Sequence, residues 1–203
     1  MRTHAAARPA ILAALAAVIL FAAGCASAHG AAPGSPPPAA DARYLTWNPR
    51  PDGQGPPRPV LARADARTGE IEARNTFGPG FLGAPLPAAG SLWVTYSVSE
   101  GELLLRLDPV TLVVTGELMI SSSRYRHGSE VAYAGGWLWA DGGDRLLRVS
   151  ADSVQPTAVI PLPGASWSGV AASPDGRFIV VSEHRGKGGF TQRRDPRTGA
   201  LLA

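Results

Sequence analysis

The sequence predicts an all-β chain of the β-propeller kind. Three observations carry that expectation: a repeat of forty-odd residues, a tight-turn motif that returns once per repeat, and strands that are apolar on consecutive residues. Composition agrees. Twenty-four Gly and 19 Pro leave little room for long helices, and 45% hydrophobic against 17% charged residues is an ordinary globular balance that excludes disorder of the whole chain. The net charge is +3, yet the arginines are scattered and Lys187 is the only lysine, so there is no polybasic stripe and no nucleic-acid partner is expected.

The chain opens with Arg2 and Arg8, then an unbroken apolar run over 10–23 (AILAALAAVILFAA), then Gly24-Cys25. This is the three-part layout of an export signal. As a helix the run spans ~21 Å, short of the ~30 Å hydrocarbon core, which makes a permanent membrane span the weaker reading. Cys25 is the only cysteine and follows the small residues Ala22, Ala23 and Gly24, so it has no internal disulfide partner. The segment resembles a bacterial lipoprotein signal, with Ala22 where that family more often has Leu. The resemblance implies a signal peptide over 1–24, acylation of Cys25 as the mature N-terminus, and an extracytoplasmic protein whose first partner is the membrane, reached through the lipid anchor. Two or more acyl chains, at ~0.8 kcal/mol per buried methylene, anchor stably. The alternative is cleavage near Ala26-Ser27-Ala28, which leaves a soluble secreted product. Removing 1–24 takes Arg2 and Arg8 away, two of the net +3, and leaves +1.

Residues 25–42 are expected to form a flexible linker. The stretch 26–40 (ASAHGAAPGSPPPAA) has no large apolar side chain and reads as a tether, ~20 Å long as a coil and ~45 Å as polyproline II. His29 within it is solvated filler.

The repeat domain is expected over 43–203. The segments LARADARTGE (61–70), LRLDPVTL (105–112), LRVSADS (147–153) and RRDPRTGA (193–200) share one frame, in which Asp65, Asp108, Ser150 and Asp195 correspond at steps of 43, 42 and 45. The Asp side chain accepts turn N–H groups, Pro presets φ at the next position, and Gly takes the left-handed conformation, together making a tight hairpin. A second landmark is a Gly just before an apolar strand: GSLWVT (90–95), GWLWAD (136–141) and GRFIVV (176–181), the last within the turn Ser173-Pro-Asp-Gly176. Strands over 92–96, 137–140 and 178–181 are apolar without alternation, so both faces must be covered. A blade flanked by neighbours meets that condition, whereas an immunoglobulin-like sandwich wets one face of each sheet.

One four-stranded blade is placed at 81–89, 92–97, 103–108 and 113–120, and the next at 130–134, 137–140, 145–149 and 157–162. A third runs from 168 through 178–181 to the hairpin at Asp195. Residues before Asn75 supply a partial first blade. The motifs Gly-x-Leu-Trp-Val (90–94), Ser-Pro-Asp-Gly-Arg (173–177) and Asp-Pro-Arg-Thr-Gly (195–199) resemble the repeat propellers of bacterial exported proteins, the YVTN, NHL and quinoprotein-like groups. The resemblance implies a fold, not an activity. Such propellers usually have six to eight blades against three to four here, so the chain reads as the N-terminal part of a longer protein, with a four-bladed ring or oligomerisation as alternatives.

Function is expected on one face, where loops joining the second and third strands lie beside those linking successive blades. Topology brings Arg124, Arg126, His127, Asp141, Asp144, Glu183, His184 and Arg185 there. The first reading is a binding module for a protein or small ligand, with no cofactor. The second is a propeller lyase, hydrolase or quinone-dependent dehydrogenase, with His127 or His184 binding a metal or moving protons at the channel mouth. Asp141-Gly-Gly-Asp144 is read as a turn rather than a calcium loop, because the further alternating oxygen ligands and downstream Glu are missing. No Gly-x-Ser-x-Gly, His-Glu-x-x-His or dinucleotide fingerprint occurs.

Overall fold

Every regular element among the described residues is a β-strand, and the strands gather into four antiparallel sheets in chain order. The structure, a computed structural model, describes residues 42–50, 53, 55–122, 130–165, 167–186 and 188–202, with the backbone alone at 167. Cys25, Arg124, Arg126 and His127 lie outside the described residues.

Blade 1 holds β1 (Ala42–Trp47), β2 (Val60–Asp65) and β3 (Ile71–Thr76) in the order β1-β2-β3. Blade 2 holds β4 (Phe81–Leu82), β5 (Leu86–Ala88), β6 (Ser91–Val98), β7 (Gly101–Leu107) and β8 (Val114–Ser121), with β4 and β5 both pairing β6. The single strand expected over 81–89 is thus broken at 83–85. Pro85 has no N–H for a ladder, and Gly83 N–H reaches back to the Thr95 carbonyl at 2.9 Å. Blade 3 is β9 (Val131–Ala134), β10 (Trp137–Asp141), β11 (Arg145–Val149) and β12 (Pro156–Pro161). Blade 4 is β13 (Trp167–Ala172), β14 (Ile179–Arg185) and β15 (Gly188–Arg194), after which Leu201 forms a bridge to Arg194.

The sheets stack face against face, and three apolar clusters fill the three junctions. Leu61 from blade 1 packs with Leu82, Leu92, Val94, Leu105, Leu107 and Leu112 from blade 2. Trp93 and Leu104 from blade 2 meet Leu138, Leu147, Val149 and Val154 from blade 3. Trp139 and Leu146 from blade 3 meet Val170, Ile179 and Val181 from blade 4. Successive residues of a strand point to opposite faces, so β6 and β10 bury Leu92 to Thr95 and Leu138 to Asp141 because each inner blade has a neighbour on both sides. The strand β14 departs from the expectation. Ile179, Val181 and Glu183 are buried against blade 3, while Val180 and Ser182 on the other face are half-buried and His184 is exposed.

At one end of the blades the same turn occurs four times. The N–H groups of Gly69, Leu112, Val154 and Gly199 bond the carbonyls of Asp65, Asp108, Ser150 and Asp195 at 2.8–3.0 Å. In the three Asp copies the carboxylate accepts two backbone N–H groups and a Thr hydroxyl: Arg67 and Thr68, Val110 and Thr111, Arg197 and Thr198. These bonds hold the carboxyls of Asp65, Asp108 and Asp195 below the usual aspartate value, the backbone N–H of the Thr being the largest cause in each. Ser150 offers only a hydroxyl, which Ser153 N–H meets at 3.4 Å.

The turns of blades 2, 3 and 4 are also gripped by the preceding blade, at the carbonyl one residue after the Asp or Ser. Tyr44 hydroxyl donates to the Pro109 carbonyl at 2.9 Å, Arg106 Nη1 to Ala151 and Asp152 carbonyls at 3.2 and 2.7 Å, and Trp139 Nε1 to the Pro196 carbonyl at 3.0 Å. Arg148 Nη1 adds a bond to the Arg197 carbonyl. The fifth turn residue then plugs the junction. Leu112 and Val154 sit at φ 59° and 54°, a conformation costing roughly 1–2 kcal/mol for a residue with a side chain. Both side chains are buried in the cluster shared with the preceding blade, and burying a Leu or Val recovers about 1.5–3 kcal/mol. Gly199 fills the same position in blade 4, where Trp139 and Ile160 already occupy the space. A Cβ there would lie 2.1 Å from Ile160 Cδ1 and 2.9 Å from Trp139.

Candidate functional site

The opposite end of the blades carries the loops that join second to third strands and those that link one blade to the next, as the sequence predicts. Its floor is polar. Glu102 at the start of β7, Asp141 at the end of β10 and Glu183 near the end of β14 are all buried, one carboxylate in each of three successive blades.

Each carboxylate is held by a different local arrangement. Ser97 and Glu102 are opposite residues of the β6–β7 hairpin, and Ser97 hydroxyl donates to Glu102 Oε1 at 3.1 Å. Asp141 ends β10 and faces blade 4. Its Oδ1 accepts the Gly143 N–H at 2.6 Å, closing the 141–144 segment into the expected turn, and also accepts the hydroxyl of Ser168 from β13. Ser168 Oγ lies 2.8 Å from the Gly143 carbonyl as well. Ser168 in turn stands opposite Glu183 in the β13–β14 ladder, so Asp141, Ser168 and Glu183 form a polar seam along the junction of blades 3 and 4. Glu183 Oε2 accepts Arg185 Nε at 2.8 Å and Arg185 Nη2, while its Oε1 is buried without a hydrogen-bond partner. Arg185 also lies over the Phe190 ring, 5.8 Å from its centroid.

Of the residues singled out from sequence, Asp141, Glu183 and Arg185 therefore come together. His184 does not join them: it is exposed and on the other face of β14 from Glu183. Asp144 is exposed, pairing its own neighbour Arg145 at 3.1 Å, a surface contact worth little. Among the described residues no three His, Cys, Asp or Glu gather closely enough to hold a metal ion. Ser97, Glu102 and Ser121 fall in segments that the sequence assigns to this face but were not singled out, and Ser168 was not expected there; all four are buried under it. The available signal was Ser97 and Glu102 flanking a tight hairpin. Nothing in the sequence marks Ser168 as the partner of Asp141, because the contact crosses between blades. The arrangement fixes the bases of the loops and leaves the charged loop tips to solvent.

No family model matches the sequence, and no curated protein matches it. Solved structures do. The structure of TolB from Acinetobacter baumannii superposes with a TM-score of 0.55 at 20% identity, over 81% of this chain and 40% of that one. The Dos1 propeller superposes with a TM-score of 0.60 at 11% identity, over 83% of this chain and 44% of that one. The fold is a partial β-propeller. The chain spans less than half the length of either structure, and at these identities the likeness extends to the fold alone.

Proposed function

We propose that the chain is a lipid-anchored, extracytoplasmic propeller module that binds a protein partner on its loop face. The observation that carries this reading is the set of buried carboxylates beneath that face. Glu102, Asp141 and Glu183 are engaged with Ser97, Ser168, Gly143 and Arg185, and so serve to hold the loops in place. Loops pinned at their bases lose less conformational entropy on binding, while exposed tips such as Asp144, Arg145 and His184 offer mixed charge for recognition. We further propose that Arg124, Arg126 and His127, which follow β8 in the sequence, take part in this binding. The export-signal layout over 1–24 and Cys25 support the extracytoplasmic part of this reading, with residues 26–40 as a tether of fifteen residues.

Two measurements test the reading. Mass spectrometry of the mature chain is expected to find acylated Cys25 at the N-terminus, lost in Cys25→Ser. In-cell crosslinking is expected to yield an adduct that is lost when Asp144, Arg145 and His184 are all changed to Ala, with the melting temperature unchanged. An adduct indifferent to those changes but lost on altering the Asp-turn end would overturn the assignment of the face.

A further inference from the structure

The 141–144 segment reads in the sequence as a turn because the further oxygen ligands of a calcium loop do not follow it in the chain. The fold brings oxygens to it from the next blade instead. Asp141 Oδ1, the Gly143 carbonyl and the Ser168 hydroxyl meet at the junction of blades 3 and 4, where Ser168 Oγ touches the carboxylate and lies 2.8 Å from the carbonyl. A serine hydroxyl carries one proton, so it donates fully to only one of those two acceptors. One proton serves three oxygens.

An independent observation comes from β14. Glu183 is 1% exposed, its Oε2 is taken by Arg185, and its Oε1 is buried with no hydrogen-bond partner. Folded proteins rarely keep such an oxygen without a water or an ion beside it. The register gives its direction: Glu183 stands opposite Ser168 in the β13–β14 ladder, and opposed residues carry their side chains on one face, with Cβ atoms about 4.5–5.5 Å apart. That face is turned to blade 3, since Ser168 reaches Asp141 from it and Ile179 and Val181 pack from it with Trp139 and Leu146. The orphan oxygen and the crowded oxygens therefore lie on the same side of blade 4.

We propose that this seam is a calcium site, held by the Asp141 carboxylate, the Gly143 carbonyl, the Ser168 hydroxyl and the Glu183 carboxylate, with water completing the shell. Every donor is an oxygen, the set that a hard cation takes. Calcium accepts an irregular shell of this kind, whereas magnesium demands a near-ideal octahedron and keeps several of its waters. Arg185 on Oε2 holds the Glu183 carboxylate in place and leaves Oε1 for the ion. Two carboxylates among the ligands match a weak site, with a Kd of about 10⁻⁴–10⁻³ M, the range of extracellular modules. The ion ties blade 3 to blade 4 beneath the loop face, and the inference is independent of what that face binds.

Titration calorimetry of the purified full chain with calcium chloride tests it, alongside melting curves with and without the ion. Stoichiometric binding is expected, with a melting temperature raised by about 3–8 °C in about 10 mM calcium and by less in the same concentration of magnesium. Glu183→Gln and Asp141→Asn, which keep size and remove charge, are each expected to weaken binding by about tenfold or more. Ser168→Ala removes only a hydroxyl, so it keeps the test open where a carboxylate variant fails to fold, and a loss of about threefold or more is expected from it. Asp144→Asn, at an exposed position of the same turn, is expected to leave binding unchanged. No calcium binding by the folded chain at about 10 mM overturns the proposal. So does binding that survives Ser168→Ala and Glu183→Gln undiminished, or that is lost only in Asp144→Asn.

Discussion

The two ends of the blades are made in opposite ways. At the turn end, four copies share one backbone hydrogen bond, and each turn after the first is gripped at the same carbonyl by the blade before it. At the loop end, three blades each bury a carboxylate, but with a Glu facing a hairpin Ser, an Asp facing a Ser of the next blade, and a Glu facing an Arg two residues away. Repetition marks the end where the blades are joined, and at the other end each carboxylate is held in its own way.

The comparison is broken most severely where the turn end is packed tightest. Gly199→Ala is expected to cost about 2–4 kcal/mol, combining a left-handed backbone with the clash against Ile160 and Trp139, whereas Gly69→Ala carries only the backbone part, roughly 1–2 kcal/mol. Chemical denaturation of the two variants checks the difference, and equal losses would mean that the blade 3–blade 4 grip is absent in solution. Next in size is Trp139→Phe, which keeps most of the ring and removes the bond to the Pro196 carbonyl. A loss of about 1 kcal/mol is expected from the same denaturation curve.

Acid sharpens the comparison without changing any packing. The carboxyls of Asp65, Asp108 and Asp195 are held below the usual aspartate value by backbone and Thr donors, so their contribution is complete above the unfolded value near ~4 and is lost as pH falls through the lower folded values. Melting temperatures are expected to drop below about pH 4, and changing all three to Asn is expected to flatten that drop. Smaller again is Ser150→Asp, which gives the odd turn the acceptor that its three counterparts have. A rise in melting temperature at neutral pH is expected, and no rise would show that Asp152 nearby cancels the gain. Smallest is the loop end, where Asp144→Ala is expected to alter stability by no more than about 0.5 kcal/mol.

The same contrast explains what could be read from the sequence. The turn end was legible because its chemistry is local: Asp and Thr, with Pro or Gly, act on one another within five residues, and three of the four repeats display the Asp–Thr pair at the same spacing. The apolar strands gave the stacking, since covered faces need large side chains whatever their partner. The left-handed Leu112 and Val154 were not legible, because their backbone is imposed by the socket of the preceding blade against local preference. Nor was the Asp141–Ser168 contact, which joins residues 27 apart from different sheets. Glu183 was picked out for its charge, but its burial depends on blade 3 packing against it.

The plug-and-socket relation between neighbouring turns also bears on how such a chain changes length over evolutionary time. Each inner blade offers its predecessor a turn and its successor an arginine grip, and both are encoded at fixed offsets from the same Asp or Ser. A stretch of DNA duplicated in frame over one such period therefore inserts a unit whose two sides already match their new neighbours, so growth or loss of whole units is tolerated where a shift of a few residues is not.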